Sequence, residues 1–226
     1  MVEIGTEAIV TTLLSGVVLG SLYSLMAVGL TLIFSTVRVV NFAHGSFLAL
    51  GAFIAWWLAA PSFTEFLGPE PHSLGIELPI VLAIGISVVA MFGFGLFYER
   101  SVIRPVRMKP DWEMKFYFIT ISLLVAFENF NIFAFGATNK KLDLGITGTF
   151  YYDVFGRSFP IFSNMEILQL VVSISTLLLI FVFLKYQKQG LAMRAVMWDP
   201  ETSTLLGIKL TRIFSLTFGI SAMLAG

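Results

Sequence analysis

No cysteine occurs among these 226 residues, which excludes disulfides and thiolate metal sites at once. Charge is scarce as well. Asp, Glu, Lys and Arg make up 12% of the chain, about half of what a soluble domain carries. The deficit is concentrated in long runs. Ala8 to Phe34 has no ionisable side chain except Tyr23, and Leu78 to Tyr98 and Ile167 to Leu184 carry no charge at all. A helix needs about 20 apolar residues to cross a hydrocarbon core of about 30 Å, and these runs have that length. A membrane β-barrel would instead show short alternating segments. The amino terminus, "MVEIGTEAIV", lacks the basic region of a secretory signal peptide, so the first run is expected to remain as a membrane helix. No "GxxxxGK[ST]" phosphate loop is present. No cofactor is implied, and nothing points to nucleic acid.

What is present organises as an all-α, polytopic transmembrane bundle, one permease-like domain over 1–226. Candidate spans lie at about 8–34, 42–60, 78–98, 116–137, 167–185 and 213–226. The last, "IFSLTFGISAMLAG", is too short to cross a bilayer comfortably, and the expectation is that further helices of a complete relative would follow it. The basic residues between spans are unevenly shared. Arg38, the group Arg100, Arg104, Arg107, Lys109 and Lys115, and the group Lys185, Lys188, Arg194, Lys209 and Arg212 fall on one side. Only Lys140, Lys141 and Arg157 fall on the other. Cytoplasmic loops are enriched in Lys and Arg, so the amino terminus is expected outside. The outer loop "PSFTEFLGPEPHSLGIE" has neither, and "GITGTFYYDVFGRSFPIF" reads either as a small β-hairpin around "DVFG" or as an irregular aromatic cap.

Three constellations invite function. In the first span, Gly16, Gly20 and Ser24 recur every four residues, with Ala27 continuing the face. Small residues let membrane helices approach closely, so this face is expected to meet another helix. In "LLVAFENFNIFAFG", Glu128 lies near mid-span with Asn129 and Asn131 beside it. An acid there costs about 2.5–3.5 kcal/mol unless it faces protein or water, which leaves an interhelical hydrogen bond or a place near a transport path. In "VVNFAHGSFLALGAF", Asn41 has the chemistry of an N-cap for a helix starting near Phe42, with His44 in its first turn on the cytoplasmic side. A discontinuous helix lining a cavity would make the same residues functional.

The most specific stretch is "YQKQGLAMRAVMWDPETSTLLGIKLTRI". Asp199, Pro200 and Glu201 form a strong helix start, and Gly207 suits a helix end. Two short helices are expected, about 190–197 and 200–206, broken at Asp199. Such an elbow is suited to being gripped by another protein; a basic segment resting on anionic lipid is the alternative.

Together, "NFAHGSFLALGAF", "FYERSVIRPVR", "TISLLVAFENFNIFAFG" and "GLAMRAVMWDPETSTLLGIKLTRIFSLTF" resemble, in order, segments of the permease subunits of ABC importers for branched-chain amino acids, from about residue 12 onward. The resemblance implies a pore built from two permease subunits, related or identical, in a bacterial-type inner membrane. It also implies two cytoplasmic ATPase subunits and a periplasmic substrate-binding protein. By the same resemblance Gly190 to Ile208 is the coupling loop, with Arg194, Ala195, Asp199, Pro200, Glu201, Gly207 and Ile208 matching best. Asn41, Phe42, Ala43, His44 and Gly45 match the motif near the translocation path. Two departures stand out: Thr202, Ser203 and Thr204 replace the alanines and basic residue that often follow "DPE", and a Gly-rich second half is absent. Permeases for urea, short amides and some sugars share the architecture, and a proton-coupled transporter or channel using Glu128 and His44 is the other class of reading.

Overall fold

A computed structural model describes residues 6–60, 77–136, 148–154 and 157–226. Most of the first outer loop, the Lys140–Lys141 segment and residues 155–156 lie outside the described residues. The helices are α1 (Thr6–Val37), α2 (His44–Ala59), α3 (Ile80–Tyr98), α4 (Arg104–Arg107), α5 (Trp112–Phe135), α6 (Asn164–Tyr186), α7 (Lys188–Trp198), α8 (Pro200–Leu205) and α9 (Leu210–Ala225). Two strands, β1 (Thr149–Val154) and β2 (Arg157–Ser163), separate α5 from α6. The fold is therefore an all-α, multi-pass membrane bundle with one small hairpin. Four helices are long and apolar enough to cross a bilayer: α1, α3 extended through Arg107, α5 and α6. α2 has 16 residues, about 24 Å of axis, and falls short of a full crossing; α9 covers 16 residues up to Ala225.

The chain divides into two compact units, residues 1–25 with 143–183, and residues 26–142 with 184–226. In the first, β1 and β2 pair antiparallel, with Thr149 opposite Ser163 and Val154 opposite Arg157. The register slips between Phe150 and Tyr151. The hairpin reading of "FYYDVFGRSF" thus prevails over the irregular cap. It feeds straight into α6 through a capping box: the Ser163 amide donates to Glu166 Oε2 at 2.8 Å, and the Glu166 amide donates to Ser163 Oγ at 3.1 Å.

The second unit is held by two kinds of contact. Aromatic rings form its centre. Phe47, fully buried, meets Phe94 and Tyr98 edge-on at centroid separations of 5.3 Å and Phe127 at 6.0 Å, a geometry favoured by ring quadrupoles. Glycines supply the second kind. A Cβ on Gly95 of α3 would lie 2.8 Å from the Cα of Gly219 and 2.8 Å from Ala222 Cβ, so the backbones of α3 and α9 nearly touch. Ser87 Oγ of α3 donates to the Gly51 carbonyl of α2 at 2.7 Å, and Ser221 Oγ of α9 to the Gly29 carbonyl of α1 at 2.6 Å. Apolar side chains gain little by leaving lipid, so this close approach and these hydrogen bonds carry helix association.

The unbroken course of α3 changes at its end. Pro105 has no amide hydrogen, and its ring would crowd the carbonyl four residues back. The helix accommodates this by a π-helical turn over Glu99–Ile103, in which the Arg104 amide donates to the Glu99 carbonyl five residues earlier. Such turns shift every later side chain around the axis. Replacing Gly95 by alanine is expected to destabilise the protein by about 1–3 kcal/mol, the usual range for overpacking. Thermal unfolding in detergent should show a lowered midpoint for Gly95→Ala and none for Gly85→Ala, whose added Cβ meets nothing within 4 Å.

Candidate functional site

The segment between α1 and α2 returns into the bundle without being helical. The chain leaves α1 at Arg38, whose φ of 64° and amide bond to the Phe34 carbonyl at 2.8 Å close the helix. Val39, Asn41, Ala43 and His44 are all buried. His44 Nε2 lies 3.2 Å from the carbonyl oxygen of Met26, which sits three turns before the end of α1, about 16 Å along its axis. His44 thus stands in the first turn of α2, as expected, and lies buried against the middle of α1 rather than at its end. Gly29 makes room for it, because a Cβ there would come within 3.2 Å of the imidazole. Non-helical backbone at such depth persists only where protein encloses it or a cavity adjoins it.

Asn41 does not cap the helix. α2 begins at His44 after Ala43, with no side-chain cap. The Asn41 backbone carbonyl receives the His44 amide at 3.2 Å, while its side-chain Oδ1 accepts a hydrogen bond from the Tyr98 hydroxyl at 3.2 Å. Phe42 and Ala43 separate Asn41 from the helix, and its side chain is engaged by Tyr98 and makes no hydrogen bond to the first-turn donors. Its Nδ2 and the Nδ1 of His44 have no partner among the described residues.

Directly after Tyr98, Glu99 is completely buried. Its Oε2 accepts from Arg104 Nη2 at 3.0 Å and from Ser215 Oγ of α9 at 2.6 Å, and Arg104 Nη2 also reaches Ser215 Oγ at 3.1 Å. One turn on, the Arg107 guanidinium lies over the Phe214 ring at 3.9 Å. The bent end of α3 thus grips two successive residues of α9.

α9 follows the elbow. Here α7 and α8 meet at Asp199, whose Oδ1 accepts from the amides of Glu201 at 3.0 Å and Thr202 at 3.2 Å, and whose Oδ2 accepts from the Thr202 hydroxyl. Pro200 occupies the first turn of α8. Gly207, with φ of 85°, donates to the Thr204 carbonyl at 2.9 Å, and the Ile208 amide donates to the Ser203 carbonyl at 3.0 Å. Both predicted helices and the predicted break are present. Gly190 is buried, and Arg194 is exposed with Nη2 3.4 Å from the Lys185 carbonyl. Trp198, Leu205 and Leu206 stand 89%, 87% and 75% exposed, so the elbow projects apolar side chains.

Residues 12–226 match the family model described as branched-chain amino acid transport system / permease component. The chain belongs to this family. It is 27% identical over 213 residues to the high-affinity branched-chain amino acid transport system permease protein BraD of Pseudomonas aeruginosa, covering 94% of this chain and 67% of that one. It is 28% identical over 214 residues to LivH, the permease protein of the same description in Escherichia coli K12, covering 93% and 66%. A probable LivH of Methanocaldococcus jannaschii is 25% identical, with 93% and 62% covered. The chain thus spans about two thirds of the length of these relatives. No solved structure matches it.

In this permease family member the remaining predicted residues are dispersed. Phe42 is 44% exposed and meets Tyr117 edge-on at 6.1 Å, and Gly45 is exposed. Glu128 and Asn129 are exposed on α5, Asn129 Nδ2 donating to the Val125 carbonyl at 2.8 Å. Among the described residues no hydrogen bond joins Glu128 to Asn41 or His44. Gly16 and Gly20 are exposed, and Ser24 bonds back to the Gly20 carbonyl at 2.8 Å. Tyr98, Glu99, Arg104 and Ser215 were not singled out as site residues. The available signal was Glu99 ending an uncharged run, with Arg104 five residues on and proline following.

Asp199 supports a prediction about pH. The Thr202 hydroxyl and amide hold its carboxyl below the ordinary value of 3.8. A depressed folded value means that the stabilisation is complete above the unfolded value and is lost as pH falls through the folded one. Amide exchange at Thr202 and Ser203 should therefore be slow at neutral pH. It should quicken by about fivefold in Asp199→Ala, the loss of an ordinary N-cap, and wild-type protection should fade only in strongly acidic buffer.

Proposed function

We propose that this chain is the membrane-spanning subunit of an ATP-driven importer for branched-chain or similar amino acids, set in a bacterial-type inner membrane with its amino terminus outside. The family and the names of its relatives support the class; substrate and partners follow by likeness. The importer would comprise a second permease subunit, related or identical, two cytoplasmic ATPase subunits and a periplasmic substrate-binding protein. ATP is hydrolysed on the ATPases. The permease contributes a path and a handle.

The observation that carries this reading is the elbow. Asp199 folds it in advance, and Trp198, Leu205 and Leu206 project from it into solvent. A preformed, apolar-tipped elbow on the Lys- and Arg-rich side of the chain fits a docking element for a cytoplasmic partner, since rigid aromatic anchors dominate such contacts. Gly190 to Ile208 would then move with the ATPases. Asn41, Phe42, Ala43, His44 and Gly45 would border the path, because the non-helical stretch that ends at Ala43 brings the start of α2 alongside Met26 of α1. Glu128 and Asn129, exposed on α5, would face the path or the second permease subunit and not lipid, where an acid is costly. Gly16, Gly20 and Ser24 offer a small face to another helix of the assembly.

Asp199→Lys and Arg194→Glu should leave membrane insertion intact yet cut ATP-driven uptake of labelled leucine by about tenfold or more, as loss of a docking hot spot does. Uptake of normal rate by both variants would overturn the coupling role of the elbow. Uptake driven by a proton gradient with no ATPase present would favour instead a secondary transporter titrating His44 and Glu128.

A further inference from the structure

The buried pair Tyr98–Glu99 carries an inference that rests on the importer reading. We infer that these two adjacent residues are the relay through which a displacement of the elbow reaches the Asn41–His44 segment. The geometry is a three-link chain. α9 begins two residues after the elbow closes at Gly207 and Ile208. Its first turns are held by the end of α3: Ser215 by the Glu99 carboxylate at 2.6 Å and by Arg104 at 3.1 Å, and Phe214 by Arg107 at 3.9 Å. The residue before Glu99 holds the other side, the Tyr98 hydroxyl donating to Asn41 Oδ1 at 3.2 Å.

Three features make this more than adjacency. The network is buried at its centre and at its Asn41 end, where Glu99, Tyr98 and Asn41 are each at most 2% exposed, while Arg104 and Ser215 at the other end are half-buried. Hydrogen bonds shielded from water are stiff and stronger than exposed ones. Next, the link sits on the π-helical turn that Pro105 imposes, and such a turn can change register without unfolding the helix. Finally, a groove of about 740 Å³ opens between Thr204 of α8 and Arg104 and Ser215. α8 and the end of α3 thus line an open groove, and in this account motion passes along α9 and through Ser215. Tyr98, Glu99 and Ser215 are positioning residues in this account. They touch neither transported solute nor nucleotide.

The experiment uses the complete transporter, with its ATPases and binding protein, in proteoliposomes, where solute uptake and ATP hydrolysis are read together. Wild type must first take up leucine only with ATP; uptake without it would sink the importer reading and not the relay as such. Given that, Ser215→Ala and Tyr98→Phe should each lower the number of molecules carried per ATP by about fivefold, an ordinary allosteric coupling. The double variant should be no worse than either single one, because both cut the same chain. Ser215→Thr, which restores the hydroxyl, should recover the ratio. A merely structural role would lower uptake and hydrolysis in proportion and leave the ratio unchanged. An unchanged ratio in both single variants, or losses that multiply in the double variant, would overturn the relay.

Discussion

A bilayer offers the backbone no water, and the second unit is arranged around that constraint. Any amide or carbonyl at membrane depth must find a partner within the protein. The stretch from Arg38 to Ala43 runs non-helically to the level of Met26, and it survives because it is enclosed. Ala43 and Phe47 are wholly buried, Tyr98 closes over Asn41, and Gly29 yields its side-chain space to the His44 ring. Remove the enclosure and the motif has no reason to hold its shape. The Phe47, Phe94, Tyr98 and Phe127 cluster is thus a wall around a polar segment as much as a core.

The helices that build this enclosure can be short because they are packed backbone to backbone. α9 lies against α3 at Gly95 and bonds to α1 through Ser221 and Gly29. Serine and glycine replace the large apolar residues that would bind helices in water. The exchange has a mechanical consequence. Contacts between backbones leave little slack, so helices joined at Gly95 and Gly219 move together.

Much of this was legible in the amino-acid order, and the rest was not for identifiable reasons. Long uncharged runs marked α1, α3 and α6 because membrane length is a property of composition. The elbow was legible because its signals are local: Asp199 caps, Pro200 starts and Gly207 ends a helix within nine residues. Asn41 misled for the same reason. Its local chemistry is that of a cap, but tertiary demand from Tyr98, 57 positions later, outweighed it. The small face of Gly16 and Gly20 has the repeat of a packing motif, while close backbone approaches within the second unit occur at Gly51 and Gly95, where no repeat announces them. Periodicity reports which face a helix could pack, and the partner decides which face it does.

Glu99 illustrates the limit most clearly. A glutamate next to arginine at the end of an apolar run looks like the ordinary return to water, and nothing nearby distinguishes it. What withdraws it into the protein is Pro105, six residues on, which forces the helix to widen and turns Arg104 back onto the carboxylate. Ser215 then completes the coordination from a helix more than a hundred residues away. A buried ion pair is seldom kept for stability alone, since well-packed apolar side chains serve as well or better. Its retention at the one place where α3 changes helical register, between the polar motif and the helix that follows the elbow, accords with a joint that must hold two geometries without coming apart.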